Sequence, residues 1–258
     1  MIASEELMAI LILGIMIFLF GIVIGSFLNV CILRLPAGES VAKERSHCMK
    51  CGYTLAWYDL IPLFSYLFLR GRCRKCGEHI SAQYPIIEAL NGAVYVLVFY
   101  LYGWSIDSAI YCLLASALIV LSVIDFRTQE IFLANNGFIL ALGLIHLGFH
   151  LGDWVTLVIG LFAVSIPLAL IVIITHEGAM GWGDVFLMGA AGLLIGWKQI
   201  VFALIAGCVL GSVIHIIRMR FFGADRKLAM GPYLSLGIMI AITVGRGFVD
   251  WYFGLLHL

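Results

Sequence analysis

Apolar runs long enough to cross a lipid bilayer recur almost without pause along this chain. A helix rises about 1.5 Å per residue, so about 20 apolar residues cross the ~30 Å hydrocarbon layer. Scanning for such runs predicts eight spans, at residues 7–33, 85–103, 107–124, 131–149, 154–175, 185–197, 199–217 and 232–255. The sixth is short, and a tilted, a re-entrant or a backward-extended helix would each account for it. Composition agrees with lipid as the solvent. Of 258 residues, 63% are apolar and 12% charged, against about 45–50% and about 25% in soluble domains. The first span is expected to be permanent rather than a cleavable signal. Glu5 and Glu6 make its start acidic, and its apolar run exceeds the roughly 7–15 residues of a signal core.

Basic residues orient the spans. Arg34, Lys43, Arg45, Lys50, Arg70, Arg72, Arg74 and Lys75 lie between spans one and two, Arg127 follows span three, and Arg218, Arg220, Arg226 and Lys227 lie between spans seven and eight. Alternating spans bring all of these to one side. The positive-inside rule makes that side cytosolic and puts both termini outside. The expected organisation is a first transmembrane helix at 1–33, a cytosolic four-cysteine domain at 34–84 and a membrane domain of about seven spans at 85–258. Net charge is zero, and no nucleic-acid partner is expected. Three pairs have G-x-x-x-G spacing, Gly21/Gly25, Gly192/Gly196 and Gly207/Gly211. They permit close helix crossings, within one bundle or between copies.

The soluble loop contains Cys48-x2-Cys51 and Cys73-x2-Cys76. Each pair can place two thiolates on one metal from a tight turn, and two such knuckles complete a tetrahedral zinc site. A loop of this size builds little core alone, and a metal cross-link supplies the missing stability. Two disulfides or a redox dithiol are the competing readings, and the cytosolic side disfavours disulfides. His47 and His79 flank a site already filled by four thiolates and read as surface residues. Cys31, Cys112 and Cys208 sit in apolar runs and read as packing residues. The fold class is therefore all-α polytopic membrane protein, about eight transmembrane helices with a small cytosolic zinc-binding domain between helices 1 and 2.

Acidic groups at the edge of a span are costly and point to function. Glu88, Asp125, Glu130, Glu177, Asp184 and Asp250 are the candidates. Glu130 and Glu177 fall in short cytosolic turns and read as solvated, and Asp250 is placed to pair with Arg246 one turn back. Asp125 ends span three in Ser122-Val123-Ile124-Asp125-Phe126-Arg127, and Asp184 opens span six in Met180-Gly181-Trp182-Gly183-Asp184. Alternation puts both at the same boundary. Glycines before Asp184 let another backbone approach closely, as an extended peptide would. Two adjacent carboxylates share one proton. The charged one takes a proton from water, and the protonated one hydrogen-bonds the scissile carbonyl and later protonates the leaving nitrogen. Two unrelated helix-end carboxylates, with Asp184 at the positive end of its helix, remain the other reading.

G-x-G-D at a membrane boundary with a second aspartate on another span resembles the intramembrane aspartic proteases. The chain as a whole resembles the type IV prepilin peptidases, the bifunctional leader peptidase/N-methyltransferase family. The resemblance runs through Gly25-Ser26-Phe27-Leu28-Asn29-Val30 with Arg34-Leu35-Pro36, the four-cysteine loop with Ile61-Pro62-Leu63, and Leu69-Arg70-Gly71-Arg72-Cys73. Tyr84-Pro85 with Glu88, Asp125, Gly181-Trp182-Gly183-Asp184 and Gly231-Pro232-Tyr233-Leu234 continue it. It implies Asp125 and Asp184 as catalytic residues, prepilins or pseudopilins as substrates and S-adenosylmethionine as methyl donor. It also implies a cut after a glycine at the cytosolic edge of the bacterial inner membrane, and a methylation-linked position at Gly71. Three departures stand out. Phe186 replaces a usual lysine near Asp184, with a consequence for the local potential; Phe132 replaces a usual proline; and Met49 replaces a proline in the first knuckle. The loop 34–84 is itself basic, so a basic leader requires an acidic patch elsewhere. A cleavage-only peptidase, a transporter with the aspartates as ion ligands, and an inactive scaffold are the alternatives. Interfacial aspartates and the lack of repeated halves argue against the transporter.

Overall fold

The computed structural model describes residues 2–43, 45–178, 180–222, 228–245 and 247. The predicted Arg246–Asp250 pair and residues 248–255 of the last predicted span lie outside them. The helices are α1 (Ile2–Ala37), α2 (Phe64–Phe68), α3 (Gln83–Tyr102), α4 (Ile106–Thr128), α5 (Leu133–Phe149), α6 (Trp154–Ala163), α7 (Ser165–Thr175), α8 (Trp182–Ile195), α9 (Trp197–Phe222) and α10 (Gly231–Ile240). Among the described residues, five helical segments are long and apolar enough to cross a membrane, and Leu133–Phe149, Trp182–Ile195 and Gly231–Gly245 are shorter apolar ones. The chain is an all-helical polytopic membrane protein with a four-cysteine cluster between its first two long helices. The short sixth span begins earlier than its apolar run, at Trp182, because the glycine-rich start is helical.

The chain divides into two compact units, Met1–Val120 and Leu121–Leu258. In the first, α1 and α3 run antiparallel at backbone distance. A Cβ on Gly21 would fall 2.7 Å from the Gly92 Cα, and one on Gly25 2.7 Å from the Glu88 Cα. Only glycine allows that approach. The polar groups buried beside it are matched, as burial requires. Asn91 Nδ2 donates to the Gly21 carbonyl at 2.7 Å, Ser116 Oγ donates to Asn91 Oδ1 at 2.8 Å, and the Tyr95 hydroxyl meets Ser116 Oγ at 3.0 Å. α1 ends where Gly38 takes a positive φ of 67° just beyond it.

The second unit is built around α8, whose residues Asp184, Val185 and Leu187–Leu194 are buried. Here α6 crosses α8 backbone to backbone, for a Cβ on Gly192 would lie 2.1 Å from the Gly160 carbonyl oxygen. The apolar run 154–175 is broken into α6 and α7 at Val164. Pro167 supplies the cause, since it has no N–H for the Ala163 carbonyl and its ring presses on that turn. Gly207 and Gly211 lie against Tyr233 of α10. The G-x-x-x-G pairs therefore serve packing inside the chain.

Candidate active site and metal centre

Asp125 lies in the last turn of α4 and Asp184 is the third residue of α8. Both are buried, at 4% and 7% exposure. They belong to the same compact unit, and the Asp125 carboxylate is close enough to act electrostatically on Asp184. The two sequence-predicted aspartates are thus brought together from helices almost sixty residues apart in sequence (184 against 125).

Each is held differently. Asp125 Oδ2 accepts the backbone N–H of Gly231 at 2.8 Å, at the start of α10. The space there admits no side chain, because a Cβ on Gly231 would fall 2.7 Å from Asp125 Oδ2 and 2.9 Å from Leu121 Cδ2. Asp184 Oδ1 is buried with no protein partner among the described residues. An acceptor left open in this way is rare in a folded interior and suits a group that must bind water or substrate. The start of α8 is fixed by the α4–α5 turn. Asn136 Nδ2 donates to the Gly183 carbonyl at 2.9 Å, and a Cβ on Gly183 would fall 2.6 Å from Ile131 Cβ. The close neighbour that Gly183 admits is thus the chain's own Ile131. Gly181 is extended at φ −90° and ψ 159°, and a Cβ there would meet only the neighbouring Gly183 nitrogen, at 3.9 Å.

Gly231 acts through its backbone N–H and Asn136 through its side-chain amide on a backbone carbonyl, and sequence reasoning assigned neither a role. The Gly231-Pro232-Tyr233-Leu234 pattern was the available signal for the first. Of the departures, Phe186 stacks on Trp182 at 6.1 Å between ring centroids, and both are exposed while Asp184 is buried. Two residues along a helix is about 200° around it, so the missing lysine sits on the opposite face from the carboxylate. Phe132 holds φ at −73° as the N-cap of α5, within the range that a proline fixes. Met49 is 87% exposed. Glu130 and Glu177 are exposed, as solvated turn residues are, whereas Glu88 is buried and accepts the Leu63 N–H at 2.8 Å.

The four cysteines converge. Ligand atoms of Cys48, Cys51, Cys73 and Cys76 all lie within 4.8 Å of one another. Cys48 and Cys76 sulfurs are 3.8 Å apart and those of Cys51 and Cys73 4.0 Å. Tetrahedral zinc with bonds of about 2.3 Å separates its sulfurs by about 3.8 Å, so the set fits that ion. All four are free thiols, which removes the disulfide reading. Each knuckle repeats C-x-x-C-G, with Gly52 at φ 68° and Gly77 at φ 71° closing turns through Gly52 N–H to Cys48 O and Gly77 N–H to Cys73 O, both 2.9 Å. Lys50 pairs with Glu78 across the knuckles, and Arg74 donates to buried Asp59 at 2.8 Å. Backbone N–H groups of Cys51 and Lys50 pull the Cys48 thiol down to about 6. Against the N–H of Glu78, partial desolvation and the three other thiols push Cys76 up to about 12. A cation bound between the sulfurs would favour the thiolate form of its ligands. His47 and His79 are exposed and lie outside the cluster.

Gly71 has a backbone reason to be glycine. Its φ is 66°, and a Cβ would fall 2.8 Å from the Tyr66 hydroxyl oxygen. Its N–H donates to the Tyr66 carbonyl at 2.9 Å and its carbonyl accepts from Ile80 at 2.7 Å. It carries no side chain, and its backbone bonds join the end of α2 to the segment after the second knuckle.

Residues 19–102 match the bacterial peptidase A24 N-terminal domain, and residues 112–216 match the type IV leader peptidase family. Among the relatives that carry the name prepilin leader peptidase/N-methyltransferase are three bacterial proteins. That of Myxococcus xanthus is 30% identical over 224 residues, 81% of this chain and 64% of its own length. That of Pseudomonas putida is 30% identical over 267 residues, 87% of this chain and 88% of its own. That of Aeromonas salmonicida is 32% identical over 276 residues, 92% of each. No solved structure matches the chain.

Proposed function

The chain belongs to the type IV leader peptidase family, and we propose that Asp125 and Asp184 are the residues with which it cuts the leader from a prepilin. Peptidase activity and type IV prepilin processing follow from the family. The assignment to these two side chains is carried by one observation: two buried carboxylates from separate helices of one unit, near enough to interact. They act as a unit that holds a single proton. Its charged member draws a proton from the attacking water. Its protonated member polarises the scissile carbonyl and then protonates the leaving amine. The Gly231 N–H keeps Asp125 from turning away. The open Asp184 Oδ1 and the uncrowded Gly181 leave room for water and for an extended backbone.

The cut falls at the cytosolic membrane boundary, after a glycine at the edge of the substrate's apolar helix. Orientation by basic residues supports that side, with both termini outside. Cys48, Cys51, Cys73 and Cys76 hold a structural zinc whose role is to fold the loop 34–84; their separations support the ion. Methylation of the new N-terminus rests on the relatives' name. When bound, S-adenosylmethionine supplies the methyl group, and no step is assigned to residues of this chain beyond the shaping role of Gly71.

Asp125→Asn and Asp184→Asn are tested separately in membranes on a candidate prepilin, with the products read by mass spectrometry. Each is expected to leave full-length substrate while the protein keeps its zinc. Undiminished cleavage by either variant rejects the pair. The same spectra report the cut site and, with donor present, the added methyl.

A further inference from the structure

One stretch of the four-cysteine domain does not look like a water-bathed loop. Between the two knuckles the chain runs through a 3-10 turn at Trp57–Leu60 and the short α2. It exposes Trp57 (76%), Leu67 (70%) and Phe68 (85%), with Ile61 and Phe64 half exposed beside them. Soluble surfaces seldom expose so many large apolar side chains within one short stretch without an occupant.

The depth of this stretch is set by Glu88. α3 has 20 residues, about 30 Å, which is just the thickness of the hydrocarbon layer. Glu88 is its sixth residue, so its carboxylate springs from a level inside the end of that helix rather than beyond it. The Leu63 N–H donates to Glu88 at 2.8 Å. The centre of the exposed apolar stretch is therefore tied at the height where a membrane-crossing helix enters lipid. Asn29 of α1 adds a second tie at this end of α3, donating to the Tyr84 carbonyl at 3.2 Å.

Backbone groups of α2 and its flanks are paired within the protein, as such a place requires. Ser65 N–H donates to Ile61 O at 3.1 Å, Leu67 N–H to Leu63 O at 3.0 Å and Leu69 N–H to Ser65 O at 2.9 Å. Directly after the apolar stretch come Arg70, Arg72 and Lys75, all exposed. Aromatic and aliphatic side chains followed by cations match the two layers of an anionic leaflet, acyl boundary and then headgroups.

We propose that Trp57–Phe68 is an interfacial membrane element. Its apolar side chains sit in the acyl boundary of an anionic phospholipid leaflet, and Arg70, Arg72 and Lys75 lie among the headgroups. The proposal rests on the membrane reading above and goes beyond it, because it makes the four-cysteine domain a lipid-bound body.

The zinc-loaded full-length protein is placed in nanodiscs of brominated-chain phosphatidylglycerol, and separately of brominated-chain phosphatidylcholine. Tryptophan emission is compared between wild type and Trp57→Phe, so that the difference reports Trp57 alone. Trp57 emission is expected to be blue-shifted and quenched by bromine, more strongly in phosphatidylglycerol. Unquenched, water-like Trp57 emission overturns the proposal, and so does equal quenching in the two lipids. Protection of Trp57 only when prepilin is added also overturns it, assigning the surface to substrate. The remaining tryptophans give the control. If they too escape bromine, the membrane reading has failed. If they are quenched and Trp57 is not, only the present proposal has failed. Phe68→Ser with Leu67→Ser, at unchanged zinc content, is expected to reduce Trp57 quenching, which unchanged quenching would contradict.

Discussion

Replacing Gly231 by alanine is a sharp test of how the aspartates are held. The added Cβ would stand 2.7 Å from Asp125 Oδ2 and 3.1 Å from its Cγ, where ordinary contact begins at 3.4 Å. The carboxylate must retreat by about 0.7 Å, which stretches the 2.8 Å bond from the Gly231 N–H past the limit of a useful hydrogen bond. A hydrogen bond to a charged group is worth about 1.5–3 kcal/mol. At about 1.4 kcal/mol per tenfold in rate, misplacing Asp125 lowers kcat by about 10- to 150-fold. Because the bond orients a reacting group, the loss falls on kcat while KM for prepilin stays put. The assay is steady-state cleavage of a purified prepilin in detergent or nanodiscs, with zinc content and thermal midpoint measured on the same sample. A variant with normal zinc, a normal midpoint and kcat within about twofold of wild type would refute the reasoning, since a change that small is below the weakest bond considered. A fall in kcat and midpoint together would show a packing defect instead.

Other expectations follow from the same geometry. In metal-free protein at pH 7, Cys48, with its thiol pulled down to about 6, should alkylate before Cys76, which is pushed up to about 12, and zinc should protect all four; peptide mapping after timed iodoacetamide reads the order of the two. Acidification should speed zinc loss, because protons compete with the ion for the four sulfurs, as followed with a chromogenic chelator. Gly71→Ala places a Cβ against Tyr66 at a positive φ, a strain of about 1–3 kcal/mol, and should make residues 34–84 more sensitive to protease as methylation falls. Lost methylation with unchanged protease resistance would make Gly71 a direct contact instead. Glu130→Gln with Glu177→Gln removes two exposed charges on the turns that leave α4 and approach α8. KM for a basic leader should rise a few-fold, the scale of rim charges worth about 0.2–1 kcal/mol each, with kcat unchanged; an unaltered KM would remove both from leader recognition.

Much of this was legible in the sequence for physical reasons. A lipid solvent forces apolar runs of fixed length, so the helices announce themselves. Paired C-x-x-C-G turns put the ligand geometry in local sequence, and the convergence of Cys48, Cys51, Cys73 and Cys76 followed. Asp125 and Asp184 stood out because carboxylates at span ends are costly. What stayed hidden acts through backbone. The Gly231 N–H that holds Asp125, and the Gly183 carbonyl that Asn136 holds, leave no side-chain signature. Glycine before Asp184 suggested room for a substrate strand, but Gly183 is filled by Ile131 from a neighbouring turn. The break at Val164 was readable from Pro167, yet an unbroken apolar run from 154 to 175 concealed it.

The four-cysteine clasp has a consequence for how the chain is made. Forty-five residues separate Ala37 at the end of α1 from Gln83 at the start of α3, yet those helices must meet at backbone distance through Gly21 and Gly25. At roughly 5–20 residues per second, a ribosome needs several seconds to deliver the second helix after the first. During that wait α1 has no partner for its glycine face. A tether that stays slack would let the two helices drift apart in the bilayer plane as α3 emerges. Capture of one metal ion by the finished loop would shorten the tether to a folded knot just as α3 appears, so that the supply of metal would set the timing of helix pairing as well as the durability of the finished enzyme.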